Sequence, residues 1–216
     1  MKSVILIAAP AAGKGSEAQR IKEEYNMPHI STGDLLREAV NKGDEEGKMI
    51  NELISNGKFV SDEIVLELLK NRIIQSDCQN GYILDGFPRN VKQAEAYDEI
   101  LKELNKDIGT VIVLDIDKEI AKSRISGRYS CPKCKRVYNI NTDMKPKVDG
   151  ICDDCNIELT RRSDDNPDTY DERYNEYVLK TEPLISYYST RGIVHHIDSS
   201  KDLDYTHSQV VEILGE

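Results

Sequence analysis

Short apolar runs alternate with longer amphipathic stretches along the chain. The runs at 3–8 (SVILIA), 81–85 (GYILD), 110–115 (TVIVLD) and 192–197 (GIVHHI) are rich in branched residues and predict buried strands, with a further short strand at 28–31 (PHIS). Between them, 14–25, 62–74, 90–104, 118–127 and 202–214 carry apolar residues three and four apart, the spacing of a helix with one buried stripe. Strands alternating with helices pair in parallel through right-handed crossovers, so the expected fold is α/β: a five-stranded parallel sheet with helices on both faces.

Two segments break this rhythm. Residues 32–60 carry helical patterns without a good strand, and 129–164 combine cysteines with glycine, proline and asparagine and no helical period. Both read as insertions over the strand ends, where open parallel sheets bind ligands, which leaves 1–31, 61–128 and 165–216 as the core. Asn166-Pro167-Asp168 predicts a capped helix start, followed by a long helix with Tyr170, Tyr174, Tyr177, Val178, Leu184, Ile185 and Tyr188 on one stripe and a kink at Pro183.

At 216 residues the chain is long enough for a single enzyme-sized core. Its net charge of -10 excludes a surface built to coat nucleic acid or an anionic membrane, because both need a positive field. Any phosphate site must therefore be a local cluster of cations. No apolar run reaches the roughly 20 residues of a membrane span, and the opening run passes into GKGSEAQR without a signal-peptide cleavage site. These features point to the cytoplasm.

Directly after the first run stands AAPAAGKGS, residues 8–16. A strand, a glycine-containing turn and a helix beginning near Lys14 would aim backbone N–H groups and a helix N-terminus at one point, a ready anion site. Ala12, Gly13, Lys14, Gly15 and Ser16 form the candidate cradle, with Lys14 reaching the terminal phosphates and Ser16 serving a Mg2+ shell. The general pattern favours glycine at the place of Ala8 and a hydroxyl where Gly15 stands, so read strictly the loop departs from it twice, and either Ala8 or Ala11 at positive φ would be strained. A methyl group at positive φ costs about 1 kcal/mol, and a Cβ aimed at the phosphates could narrow the cradle.

Four of the five cysteines, Cys131, Cys134, Cys152 and Cys155, form C-x2-C-x17-C-x2-C, a structural-zinc spacing. Four thiolates leave no coordination position for substrate, so the expected metal is structural, with Lys133, Lys135 and Arg136 offsetting the excess negative charge. Iron at the same ligands and uncoordinated thiols are the alternatives. A nucleic-acid zinc ribbon is disfavoured by Asp153 and Asp154 in the second knuckle. Cys78 is left over and reads as a small core residue.

The series PAAGKGSEAQRI, ISTGDLLREAV, ILDGFPRNVKQ, SRISGR, the two C-x2-C pairs and RRSDD followed by Arg173 resembles the adenylate kinases in their bacterial long-lid form, over essentially the whole chain. In that family serine after GKG is normal; Ala8 and Ala11 are departures. The resemblance implies ATP and AMP as partners, with Mg2+ and a structural Zn2+, in a chain that works as a monomer. It implies that 32–60 binds AMP, with Thr32 and Gln93 near the purine and Arg37 and Arg89 on the phosphate, and Gly86 beside them. It further implies that Arg128, Arg162 and Arg173 clasp the transferring group, that Arg124 stacks on the donor base, and that Asp85 orders water on Mg2+. The segment 129–164 would be a lid that excludes water. Arg89 and Gln93 are expected to share one helix face, as are Arg124 and Arg128; Thr32 could also cap a helix. Other readings are a kinase for a different nucleoside monophosphate and a nucleotide-sensing protein of weak turnover, the latter motivated by Ala8 and Ala11.

Overall fold

The computed structural model describes residues 3–55, 60–134, 136–161, 165 and 167–215. In chain order these form β1 (Val4–Ala8), α1 (Lys14–Tyr25), β2 (His29–Ser31), α2 (Thr32–Lys42), α3 (Glu45–Ser55), α4 (Asp62–Ile73), β3 (Ile83–Asp85), α5 (Val91–Glu103), β4 (Thr110–Asp115), α6 (Lys118–Ser126), β5 (Arg128–Ser130), β6 (Val137–Asn139), α7 (Pro167–Glu176), α8 (Pro183–Ser189), β7 (Val194–Asp198) and α9 (Leu203–Leu214). The five-stranded sheet has the order β2-β3-β1-β4-β7, with each adjacent pair parallel. The expected fold class, strands and helices are therefore present.

Alternation along the strands builds a core on each face. Ile5 and Ile7 of β1 and Val111 and Val113 of β4 pack on one side with Leu69 of α4, Tyr97 of α5 and Tyr188 of α8. Val4 and Leu6, with Ile112 and Leu114, pack on the other with Ile21 of α1 and Val210 of α9. β1 and the middle of β4 are buried on both faces, which is why their sequences are continuously apolar. Cys78 lies in this core, fully buried, and burial pushes its thiol up to about 11, so it carries no reactive thiolate at neutral pH.

Residues α2 and α3 supply the first insertion; β5 and β6 form an antiparallel ribbon in the second, with its own small cluster of Cys131, Tyr138, Cys152 and Leu159. The ribbon springs directly from α6. Gly127 ends that helix where a Cβ would lie only 2.4 Å from Asn139 Oδ1, so any larger residue at this turn would have to displace the Asn139 and Asn141 side chains. Arg128 consequently begins a strand and does not share a helix face with Arg124, contrary to expectation.

The long helix expected after residue 166 is interrupted. Between α7 and α8, Tyr177–Thr181 forms a π-helical turn in which Glu182 N donates to Tyr177 O at 2.9 Å. Pro183 has no N–H, and its ring would crowd the carbonyl of Leu179 in a regular helix; the widened turn relieves this. The extra residue rotates the apolar stripe, so Tyr170, Leu184 and Tyr188 are fully buried while Val178, expected on that stripe, is exposed. The expected cap Asn166 lies outside the described residues.

Candidate active site

β1 delivers the chain at Ala8, still in the strand and buried, into a loop whose Ala11 and Gly13 both have positive φ, 63° and 98°. Of the two departures from glycine, only Ala11 adopts the left-handed conformation, at a cost of about 1 kcal/mol. α1 begins at Lys14 without any side-chain hydrogen bond capping its first turn. Its leading N–H groups are thus available to an anion at the point where the helix dipole is positive.

Three strands bring the centre of the site together. Lys14 Nζ lies 3.2 Å from Asp85 Oδ1, at the end of β3, and His29 Nε2 of β2 lies 3.1 Å from Asp85 Oδ2. Burial opposes ionisation of Asp85, but Lys14 and His29 together outweigh it and hold the carboxyl well below the usual carboxylate range. His29 was not singled out in the sequence. Its relation to Asp85 arises because β2 and β3 pair in parallel, with Ser31 opposite Asp85, a register that local pattern does not disclose.

Beside this centre, Thr32 Oγ1 donates to Gly86 O at 3.1 Å and accepts from Arg89 Nη2 at 3.4 Å, while Arg89 Nε donates to Gly86 O at 3.0 Å. Thr32 is the first residue of α2 and its hydroxyl is spent on this cluster; the cap position belongs to Ser31. Arg89 precedes α5, so it does not share a face with Gln93. Asn90 caps the helix, accepting from Gln93 N at 2.9 Å, and the Gln93 side chain folds back so that Oε1 accepts Arg89 N–H at 2.8 Å. Thr181, in the π turn, donates to Arg89 O at 3.0 Å. Arg37 is paired with Asp34 and remains largely exposed at the rim.

On the opposite side Arg124 donates to the carbonyls of Ser199, Ser200 and Lys201 at 2.7, 3.0 and 2.5 Å. Arg128 Nε donates to Asp165 Oδ2 at 2.6 Å, Arg128 Nη2 pairs with Asp165 Oδ1, and Arg173 Nη1 lies 3.5 Å from the same oxygen. Asp165, almost wholly buried, had no role assigned from the sequence. Arg162 lies outside the described residues.

One cleft of about 2550 Å3 lies between the C-terminal strand ends and the two insertions; Lys14, Arg37, Arg89, Arg124, Arg128 and Arg173 line it. The described cations expected from the sequence thus reach a single hollow in a protein of net charge -10, alongside further lysines, arginines and carboxylates.

In the second insertion the sulfurs of Cys131, Cys134, Cys152 and Cys155 all lie within 4.8 Å of one another, and those of Cys134 and Cys152 are 3.6 Å apart. Tetrahedral Zn–S bonds of about 2.3 Å would separate sulfurs by about 3.8 Å, so the four thiols fit a zinc ion. Tyr138 Oη donates to Cys152 Sγ at 3.5 Å and also accepts Asp153 N–H at 2.8 Å, a second layer of support. Arg136 is engaged by both oxygens of Asp154, each at 2.8 Å, rather than by the thiols; Lys135 lies outside the described residues. Among the described residues no helix is long and apolar enough to cross a membrane.

A parallel sheet whose first strand runs into an anion-binding loop, beneath a cation-lined cleft, defines a phosphoryl-transfer enzyme of the phosphate-loop class. Residues 6–193 match the family model for adenylate kinase. The chain is 46% identical over 212 residues to the adenylate kinase of Kosmotoga olearia, covering 98% of each chain. It is 41% identical over 216 residues to that of Thermotoga petrophila, covering 100% of this chain and 98% of the relative, and 46% identical over 212 residues to that of Archaeoglobus fulgidus, covering 98% and 97%. The chain belongs to the adenylate kinase family. It is a nucleoside monophosphate kinase, a phosphotransferase.

Proposed function

We propose that the cleft holds Mg-ATP and AMP together and moves the terminal phosphoryl group reversibly between them. An oxygen of the AMP phosphate attacks the γ-phosphorus, the bond from that phosphorus to the β–γ bridging oxygen breaks, and two ADP result. The observation that carries this reading is that Lys14, Arg37, Arg89, Arg124, Arg128 and Arg173 line one hollow. A triphosphate and a monophosphate repel each other, and the chemistry demands alignment and charge neutralisation more than covalent participation.

The loop 12–16 cradles the donor phosphates, with Lys14 at the transferring group and Arg124 against the donor base. Thr32, Arg37, Gly86, Arg89 and Gln93 bind the acceptor, which gives 32–60 its role as AMP-binding insertion. Arg128, Arg162 and Arg173 clasp the migrating phosphoryl group, and 129–164 closes as a lid. Asp85, held ionised, and Ser16 are the residues to hold Mg2+, which supplies positive charge among the phosphate oxygens. The four lid cysteines hold Zn2+ as a structural ion. The protein acts as a cytoplasmic monomer, with neither nucleic acid nor membrane as a partner.

A coupled assay with ATP and each nucleoside monophosphate tests the reading. Turnover with AMP well above the other monophosphates is expected. Binding of nucleotides without turnover would instead establish a sensing protein.

A further inference from the structure

Gln93 is held by two groups that leave its amide no choice of orientation. The backbone N–H of Arg89, which can only donate, meets Oε1 at 2.8 Å. The carboxylate of Asp62, which in its ionised form can only accept, bonds Nε2. Exchanging the amide's oxygen and nitrogen would set donor against donor at Arg89 and acceptor against acceptor at Asp62. Gln93 is buried, so water cannot replace either bond cheaply. Among the described residues these bonds leave one N–H and one oxygen lone pair of the amide, and Asp62 and Gln93 both border the cleft.

We propose that Asp62 is a specificity-determining residue: by fixing the Gln93 amide, it makes the site select an adenine over a 6-oxopurine acceptor. This rests on the reading of Gln93 as the group beside the acceptor purine. Along its Watson–Crick edge an adenine places an amino donor next to a ring-nitrogen acceptor. Hypoxanthine and guanine place a carbonyl acceptor next to an N–H donor. A glutamine amide can pair with either edge, and the choice is made by which end of the amide faces which atom. One flip converts an adenine-reading site into a 6-oxopurine-reading site at the same base position. Asp62 and Arg89 N–H oppose that flip from both ends, and of the two only Asp62 is a side chain open to substitution. Asp62 opens α4 and comes from the far side of the first insertion, 31 positions from Gln93. It acts through Gln93 and is a positioning residue, not a catalytic one.

The test measures kcat and KM for AMP and for inosine monophosphate, whose edge reverses that of adenine without adding the guanine 2-amino group. The proteins are the wild type, Asp62→Ala, Asp62→Asn and Gln93→Ala. Asp62→Ala is expected to reduce the AMP-over-IMP ratio of kcat/KM by about tenfold or more, the size of a lost hydrogen bond to a charged group. The change should come mainly through KM. Asp62→Asn keeps a polar residue at the helix start but can present either an oxygen or an N–H, so it no longer opposes the flip from its end; it is expected to lower the ratio as well, and a ratio near that of the wild type would overturn the orientation argument. Gln93→Ala is expected to remove most of the preference. If Gln93→Ala loses the preference and Asp62→Ala keeps it, the role of Asp62 is overturned while the acceptor site stands. If Gln93→Ala keeps the preference, Gln93 does not read the base and both ideas fall.

Discussion

Asp165 grips Arg128 with both carboxylate oxygens and at the same time draws Arg173 to within 3.5 Å. This single buried carboxylate gathers two of the cations that face the cleft, and it balances them when no phosphate is bound. Asp165→Ala would leave two partly buried guanidinium groups without it. The expected cost is about 3 kcal/mol, or a fall in Tm of about 6–12 °C, together with reduced kcat. Calorimetry and steady-state kinetics check both, and an unchanged Tm would show that the contact contributes nothing to stability.

Lys14 stands at the mouth of the phosphate loop with Asp85 as its ion-pair partner. On the proposed role of Lys14, Lys14→Ala deletes a positioned charge at the transferring group and is expected to lower kcat by about 100-fold or more. The Asp85 carboxyl should titrate at higher pH in that variant, since the charge that most favours its ionised form is gone; NMR of the carboxyl carbon reads this directly. A near-normal kcat would remove Lys14 from the machinery.

The two loop alanines should respond in opposite directions to glycine. Ala11 has φ 63°, so Ala11→Gly relieves the methyl and is expected to stabilise by about 1 kcal/mol, with activity equal or higher. Ala8 lies in β1, so Ala8→Gly adds chain entropy to a strand and is expected to destabilise by about 0.5–1 kcal/mol. Denaturant titration of each variant decides; equal effects at both positions would contradict the backbone difference between them.

One zinc per chain is expected by elemental analysis, released by chelation or by Cys152→Ser. The lid cluster is small and includes two of the cysteines themselves, Cys131 and Cys152, so metal loss should loosen residues 129–161 far more than the main sheet. Hydrogen exchange resolves the two regions. Uniform exchange with and without metal would refute a structural role.

A pH effect should arise on the far side of α1. His207 of α9 joins Glu17, wholly buried, at 2.6 Å through Nδ1 and Glu24 at 2.7 Å through Nε2. Burial disfavours the imidazolium, but the bonds to Glu24 and Glu17 outweigh it and raise the His207 pKa. A raised folded value means that the stabilisation is complete below the ordinary histidine value of about 6.5 and is lost as pH rises through the folded value. Burial also raises Glu17, against the pull of His207, so ionising it at higher pH acts in the same sense. Tm should therefore decline as pH rises above about 6.5, and His207→Gln should flatten that decline. A wild-type Tm that is level across this range would exclude the linkage.

The run SVILIA could only be a doubly buried strand, because continuous branched apolar residues cannot face water on either side, and its passage into PAAGKGS marked an anion loop by its glycine and lysine alone. The paired cysteines likewise disclosed a metal site, since ligand identity and spacing are local properties. The turn at Gly127, which parts Arg128 from the helix of Arg124, was not legible, because it depends on how closely Asn139 approaches from another strand. Neither were the partners of Asp85, Gln93 and Arg128. His29, Asp62 and Asp165 are ordinary polar residues in the sequence, and they acquire meaning when parallel register and helix packing bring them within hydrogen-bond distance. The sequence by itself determined which elements form and which chemical groups are present, because periodicity and residue type act over a few neighbours. Only the tertiary structure decided which charge faces which, because interactions that fade within a few ångströms are set by contacts between residues as far as 190 positions apart, as in the Glu17–His207 pair.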